Sequence, residues 1–251
     1  MGQIPVAILV GVFGLIIGSF LNVCIYRIPL EEDIVVEPSH CMTCGYRLQW
    51  YDLIPLISYV VLKGKCRKCH AHISLQYPLV EAANGLLYLI IFLIRGFQPD
   101  TILYCLLASA LIVLSVIDAR TYEIPFGINV FIGVLGILHL MLHGSDWSMY
   151  VIGFFSISLF LELLFLASGG RAIGGGDIKL TAAAGLLLGW QEMILAFGLA
   201  CIIGSICHLI LMKTKDAGHM LAMGPYLAVG ILLSSLFGQQ LIHWYLSLLV
   251  H

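Results

Sequence analysis

A chain of 251 residues in which 61% are hydrophobic and only 10% charged cannot be a soluble globular domain, which would carry far more charge. It reads as an integral membrane protein, and a formal net charge of −2 without basic blocks excludes a nucleic-acid binder. Alternating apolar and polar runs of the outer-membrane barrel kind are lacking, so the predicted fold class is an all-α polytopic membrane protein of about eight helices, embedded in lipid.

The first apolar run, IPVAILVGVFGLIIGSFLNVCIYRI, has no basic residue ahead of it. It is too long for a signal-peptide core and no small-residue cleavage site follows, so it is expected to remain as a transmembrane helix. Spans are predicted at 4–28, 78–95, 101–118, 125–143, 149–168, 178–189, 191–212 and 222–238, with 240–250 as a candidate interfacial segment. Several approach the ~20 residues needed to cross, and 178–189 is short of it. Residues 1–28 thus form a first transmembrane helix, 29–77 a polar insertion and 78–251 a membrane-embedded domain.

Charge orients the chain. The loop after the first span holds Arg47, Lys63, Lys65, Arg67 and Lys68, with Arg27 at its edge; alternate loops hold Arg120, Arg171 with Lys179, and Lys213 with Lys215. Eleven of the twelve basic residues fall on one side, Arg95 alone on the other. By the positive-inside rule the basic side is cytoplasmic and both termini lie outside.

The polar insertion is then cytoplasmic. It contains CMTC (Cys41, Cys44) and CRKC (Cys66, Cys69), two CxxC pairs able to set four thiolates around one zinc ion. A cytoplasmic location argues against stable disulfides. A closed four-cysteine site leaves no open position for a substrate, so the metal would hold shape in a loop with little core of its own. His40, His70 and His72 flank the pairs as alternative ligands or as exposed loop residues. Cys24, Cys105, Cys201 and Cys207 fall within spans as packing residues. Glu31, Glu32, Asp33 and Glu37 form a carboxylate cluster, a solvated turn or an attractor of basic peptide. Asn22 and Glu81, near the cytoplasmic ends of the first two spans, either orient the loop or snorkel.

Two aspartates share one membrane level: Asp118 in SVIDARTYEIP, ending the third span, and Asp177 in RAIGGGDIKL, opening the sixth. Two carboxylates brought together share a proton, one serving as general base for water and the other as general acid. Gly174, Gly175 and Gly176 are expected to let backbone approach closely and to adopt dihedrals closed to other residues. Pro125 is expected to open the fourth span. Two other readings stand beside the dyad. The aspartates pair with Arg120, Arg171 or Lys179, or the chain is an ion or proton transporter that also uses Glu162 in the fifth span.

These blocks together resemble the type IV prepilin peptidase family. GSFLNVCIYRIP is similar to its first-helix signature, the CMTC to CRKC segment to its cytoplasmic cysteine domain, DARTYEIP and GGGDIKL to its two catalytic regions, and MGPYLA (223–228) to a segment of its last span. The resemblance implies a GxGD-type aspartyl endopeptidase of the bacterial inner or plasma membrane, with Asp118 and Asp177 catalytic and Cys41, Cys44, Cys66 and Cys69 on zinc. It implies prepilin or pseudopilin substrates entering from the bilayer and cut at the cytoplasmic face, within a peptidase domain over 78–251. It also implies methylation of the new N-terminus with S-adenosylmethionine, a peptidase without that activity being the alternative. The chain departs from the family at SHCMTC, where His40 and Met42 stand in place of the usual arginine and proline. No Gly-rich, strand-borne nucleotide loop is present to mark a methyl-donor site.

Overall fold

The structure, a computed structural model, describes residues 3–171, 173–214 and 222–249. Lys215, used above for orientation, and residue 250 of the expected tail segment lie outside them. Among the described residues the elements in chain order are α1 (Gln3–Arg27), α2 (Ile57–Val61), α3 (Gln76–Arg95), α4 (Pro99–Thr121), α5 (Phe126–Leu142), α6 (Trp147–Ser156), α7 (Ser158–Ser168), α8 (Gly175–Leu188), α9 (Trp190–Thr214) and α10 (Gly224–Leu249), with short 3-10 turns between some of them.

Among the described residues, six segments are long and apolar enough to cross a membrane: Ile4–Leu30, Gln76–Arg95, Pro99–Thr121, Trp147–Ser168, Trp190–Lys213 and Gly224–Leu248. Each of the eight expected spans falls on helix, but α5 has 17 residues and α8 has 14. At 1.5 Å per residue, α8 is about 21 Å long, against a hydrocarbon core of about 30 Å.

The expected span 149–168 is found as Trp147–Ser168, with a one-residue irregularity at Ile157 that separates α6 from α7. The serines beside the irregularity bond back into the preceding turn, Ser156 Oγ to Gly153 O at 2.9 Å and Ser158 Oγ to Phe154 O, a contact that bends helices. The expected separate segment 240–250 is instead a continuation of α10, which runs unbroken to Leu249. Polar Gln239, Gln240 and His243 are exposed there, and a helix that leaves the apolar layer needs no break to do so.

The chain forms two compact units, residues 1–113 and 114–251. In the first, α1 and α3 pack with backbones close together. A Cβ on Gly14 would stand 2.8 Å from Tyr88 Cβ, and one on Gly18 would stand 2.8 Å from Glu81 Cα. Small residues four apart allow this approach between membrane helices. Asn84 Nδ2 donates to Gly14 O at 2.7 Å and Asn22 Nδ2 to Tyr77 O at 3.2 Å, so buried amides tie the pair. Ser109 Oγ donates to Asn84 Oδ1 at 2.9 Å and brings in α4.

Glu81 orients the loop rather than snorkelling: it is buried and its Oε2 accepts the Leu56 N–H at 2.9 Å. Arg27 is likewise buried, its guanidinium donating to the carbonyls of Asp33, Glu37 and Pro38 at 2.8, 2.9 and 3.5 Å. It thereby folds the acidic turn back onto the end of α1.

In the second unit α8 is enclosed by its neighbours, with Leu180, Thr181, Ala184 and Leu187 fully buried. The α6–α8 crossing depends on Gly153 and Gly185, where a Cβ on either would run into the other's backbone carbonyl. Between α9 and α10 a Cβ on Gly230 would run into the carbonyl of Ala196. Cys24 and Cys105 are buried as packing residues, whereas Cys201 and Cys207 are half-buried.

Candidate active site

Asp118 lies in the last turn of α4 and is 4% exposed. The helix stops three residues later because Tyr122 turns into the left-handed region at φ 57°, its N–H reaching Asp118 O at 2.8 Å. That conformation is uncommon for a tyrosine, and such residues gather at functional sites. The turn carries Glu123 and Ile124 back toward the start of α8. Pro125 stands just ahead of the first turn of α5, as its N-cap.

Asp177 lies in the first turn of α8, its N–H bonded to the carbonyl of the N-cap Gly174 at 3.1 Å. Asn129, buried on α5, donates to Gly176 O at 3.4 Å and holds that first turn in place. The two aspartates, 59 positions apart in sequence, thereby line one cavity of about 250 Å³ with Tyr122, Glu123, Ile124 and Gly174 to Gly176. Among the described residues neither aspartate forms an ion pair, and Lys179 stands over the Phe126 ring, 5.1 Å from its centre. Pairing with a nearby basic residue therefore does not account for them. Glu162 lies half-buried on α7 and lines no part of this cavity.

One contact was not legible in the motifs. The N–H of Gly224, the first residue of α10, donates to Asp118 Oδ2 at 2.8 Å across 106 positions. A Cβ on Gly224 would stand 2.7 Å from that same oxygen and 2.9 Å from Asp118 Cγ. The MGPYLA segment supplies the signal, but nothing local in it points to Asp118. Tyr122, Glu123 and Ile124 of the DARTYEIP stretch line the cavity as well, and nothing in their residue types marks them for it.

The glycines meet one half of the expectation, close approach, and not the other, unusual dihedrals. None of Gly174, Gly175 and Gly176 has a positive φ; Gly174 is extended, and Gly175 and Gly176 already belong to α8. Space, not dihedral freedom, is what they provide. A Cβ on Gly176 would stand 2.8 Å from Ile124 Cβ, whereas Gly175 meets nothing within 4 Å. Gly176→Ala is therefore expected to push the two aspartate-bearing turns apart. A misplacement near 1 Å costs about 10²-fold in rate. Gly175→Ala should lose far less, and its thermal midpoint should hold or rise because alanine favours a helix by about 1 kcal/mol over glycine. Equal losses in a cleavage assay would refute this division of roles.

The four cysteines of the loop come together. Cys41, Cys44, Cys66 and Cys69 place their sulfurs within 4.8 Å of one another, with Cys41 and Cys69 3.8 Å apart. Tetrahedral zinc with Zn–S of ~2.3 Å requires S···S of ~3.8 Å, so the donor set fits that ion. The pairs sit on two matching knuckles. Cys41 N–H bonds Tyr46 O and Gly45 N–H bonds Cys41 O, just as Cys66 N–H bonds Ala71 O and His70 N–H bonds Cys66 O. Gly45 and His70 occupy equivalent left-handed positions at φ 67° and 60°. His70 is thus a turn residue; the ligand group found there consists of the four cysteines, without His40 or His72. Backbone N–H groups of Cys44 and Thr43 lower the Cys41 thiol to about 6. At Cys69 an N–H from Ala71 favours the thiolate, but desolvation and the neighbouring sulfurs outweigh it and push the thiol up to about 11.

The model of the Bacterial Peptidase A24 N-terminal domain matches residues 12–94, and that of the Type IV leader peptidase family matches residues 105–209. A prepilin leader peptidase/N-methyltransferase of Pectobacterium carotovorum subsp. carotovorum is 37% identical over 251 residues, covering 88% of this chain and 89% of its own length. Proteins of the same description from Pseudomonas aeruginosa and Aeromonas salmonicida are each 33% identical, covering 93% and 95% of this chain and 91% and 93% of their own lengths. No solved structure matches.

Proposed function

The chain belongs to the type IV leader peptidase family, and we propose that within it Asp118 and Asp177 form the dyad of a prepilin leader peptidase that also N-methylates its product. The observation that carries this is the cavity of about 250 Å³ that the two aspartates share with Gly174, Gly175 and Gly176. One carboxylate takes a proton from water as the water oxygen attacks the scissile carbonyl; the other gives its proton to the leaving nitrogen. The proton is held by the pair, so acid and base roles belong to the dyad as a unit. Gly224 N–H fixes one oxygen of Asp118 and is a positioning group.

The clustering of basic residues on one side supports the reading that this cavity faces the cytoplasm, at a bacterial inner or plasma membrane. A prepilin or pseudopilin would arrive laterally through lipid, with its basic leader in the cytoplasm. The domain reading follows: 1–28 as first transmembrane helix, 29–77 as zinc-binding loop domain, 78–251 as peptidase. Cys41, Cys44, Cys66 and Cys69 would hold the zinc, which supplies shape and no open coordination position for chemistry. Purified protein is expected to carry about one zinc per chain by elemental analysis, and Cys66→Ser to lose it and expose the loop to protease. A metal-free preparation whose loop resists protease would overturn this.

The activity is tested by co-expressing a prepilin and reading its gel mobility and the mass of its new N-terminus. A leaderless product bearing one added methyl group supports both activities, and a leaderless product without it supports the peptidase alone. Prepilins left intact, with an ion moved in liposomes, would replace the reading with transport.

A further inference from the structure

The cysteine loop carries apolar surface that its own packing leaves uncovered. Trp50, Ile57, Val60 and Val61 are 76%, 61%, 71% and 69% exposed. Ile57, Val60 and Val61 stand at i, i+3 and i+4 of α2 and so share one face of it. Tyr59 fixes the helix to the loop, its hydroxyl donating to Ile73 O at 3.3 Å and lying where a Cβ on Gly64 would come within 2.8 Å. We propose that the exposed face docks on the anionic surface of the bilayer that holds the chain, so that residues 50–68 lie in the membrane interface and not free in water.

Depth is the first argument. The Leu56 N–H, at the start of α2, donates to Glu81 Oε2 at 2.9 Å. Glu81 belongs to the span Gln76–Arg95, whose 20 residues, about 30 Å, match the hydrocarbon core. It stands five residues in from Gln76, which at 1.5 Å per residue is about 7.5 Å. Helices that lie in an interface bury their apolar face about 5–10 Å into the boundary of headgroups and acyl chains, so α2 is tethered at the depth such a helix occupies.

Residue types and charge agree. Trp50 and Tyr51 belong to the 3-10 turn Trp50–Asp52, their rings edge to face with centres 5.6 Å apart, and tryptophan and tyrosine concentrate at membrane–water interfaces. From residue 50 to 72 the chain carries Lys63, Lys65, Arg67 and Lys68 against Asp52 alone, and Asp52 is taken by Arg67 at 2.7 Å. Lys63, Lys65 and Lys68 are exposed and, among the described residues, form no ion pair. An apolar face rimmed by lysines suits anionic headgroups. The carboxylates of Glu31 to Glu37 belong to a different turn, the one that Arg27 folds onto the end of α1. The tether to Glu81 favours lipid as the occupant over a protein arriving from water.

The four-cysteine site then has a mechanical part in the docking. Arg67, inside the CRKC knuckle, lies 4.9 Å from the centre of the Tyr51 ring as well as on Asp52, so the knuckle that holds metal also holds the aromatic turn. The inference needs only the membrane spans and the loop, and does not depend on the aspartate dyad.

The test uses the full chain in lipid nanodiscs, with Trp147, Trp190 and Trp244 replaced by Phe so that Trp50 alone reports. In discs containing phosphatidylglycerol, Trp50 emission is expected to be blue-shifted, quenched by brominated acyl chains and shielded from iodide. Val60→Asp combined with Val61→Asp should reverse all three at unchanged zinc content, since changes at exposed positions leave the loop folded. Each lysine near an anionic surface shifts an equilibrium by about fivefold. Tryptic nicking at Lys63, Lys65 and Lys68 should therefore be faster by about tenfold or more in discs of phosphatidylcholine alone. That second measurement uses the wild-type chain, so it stands even where the tryptophan replacements impair insertion. Trp50 open to iodide and untouched by brominated lipid, or equal nicking in the two kinds of disc, would overturn the docking. Protection that appears only when a prepilin is added would overturn it too, and would assign the face to substrate.

Discussion

Asp118→Asn and Asp177→Asn should each abolish leader cleavage, by about 10³-fold or more, while membrane insertion and zinc content stay at wild-type levels. An amide can neither take the proton of the attacking water nor return one to the leaving nitrogen, and groups acting as a unit lose nearly everything when one is removed. The double variant should therefore be little worse than either single one. Structure gives a further reason to expect a clean result. Asn keeps an oxygen that can accept the Gly224 N–H now bonded to Asp118, and among the described residues neither aspartate is committed to an ion pair that its loss would break. The measurement is the rate of prepilin cleavage followed on gels and by N-terminal mass. If both variants still cut, the dyad is wrong; if one cuts normally, the cavity has a different second partner, with Glu123 on its wall the first to be tested.

How much of this was legible in the sequence depends on the range of the interaction concerned. Hydropathy located every long helix, because burying or lipid-facing apolar runs is a local property of the chain. Charge bias and the doubled CxxC spacing were local as well, and the four sulfurs do converge. What hydropathy could not show was the irregularity at Ile157, which depends on two serine hydroxyls bonding backward inside an otherwise continuous apolar run. Nor could it extend α10 past residue 240, since polar residues look like an ending to a scale that counts only lipid affinity.

The glycines are the sharper case. Gly174, Gly175 and Gly176 read alike in sequence, and the expectation of unusual dihedrals treated them alike. In the fold Gly176 faces Ile124, which arrives from a turn 52 positions earlier, Gly174 faces the Asp177 carboxylate, and Gly175 meets nothing within 4 Å. The requirement is set by a tertiary neighbour and leaves no trace in the three letters themselves. The partnership of Asn129 with Gly176 O is equally remote.

Gly224 carries that argument furthest and supplies the second large effect. Gly224→Ala should lower leader cleavage about 10²-fold, and Gly224→Val should lower it more, with both proteins still inserted, helical and zinc-loaded. The physical reason is that one residue is asked to do two things at once. Its N–H must come within 2.8 Å of Asp118 Oδ2, and an added methyl would lie 2.7 Å from the same oxygen. Donor and side chain cannot both be accommodated, so either α10 withdraws and the hydrogen bond is lost, or the Asp118 carboxylate rotates away. The first leaves a buried carboxylate short of a donor; the second displaces a reacting group by a distance that costs about two orders of magnitude. A positioning role of this kind is separable from simple instability. The variant should keep its thermal midpoint within a few degrees, because a single strained contact of about 1–2 kcal/mol shifts a domain of this size by about 2–4 °C per kcal/mol. Its loss should fall on the cleavage step under saturating prepilin rather than on prepilin capture, since Gly224 is not among the cavity-lining residues. Wild-type turnover in Gly224→Val would mean that Asp118 does not depend on the end of α10, and that the bond seen there serves only to dock a helix.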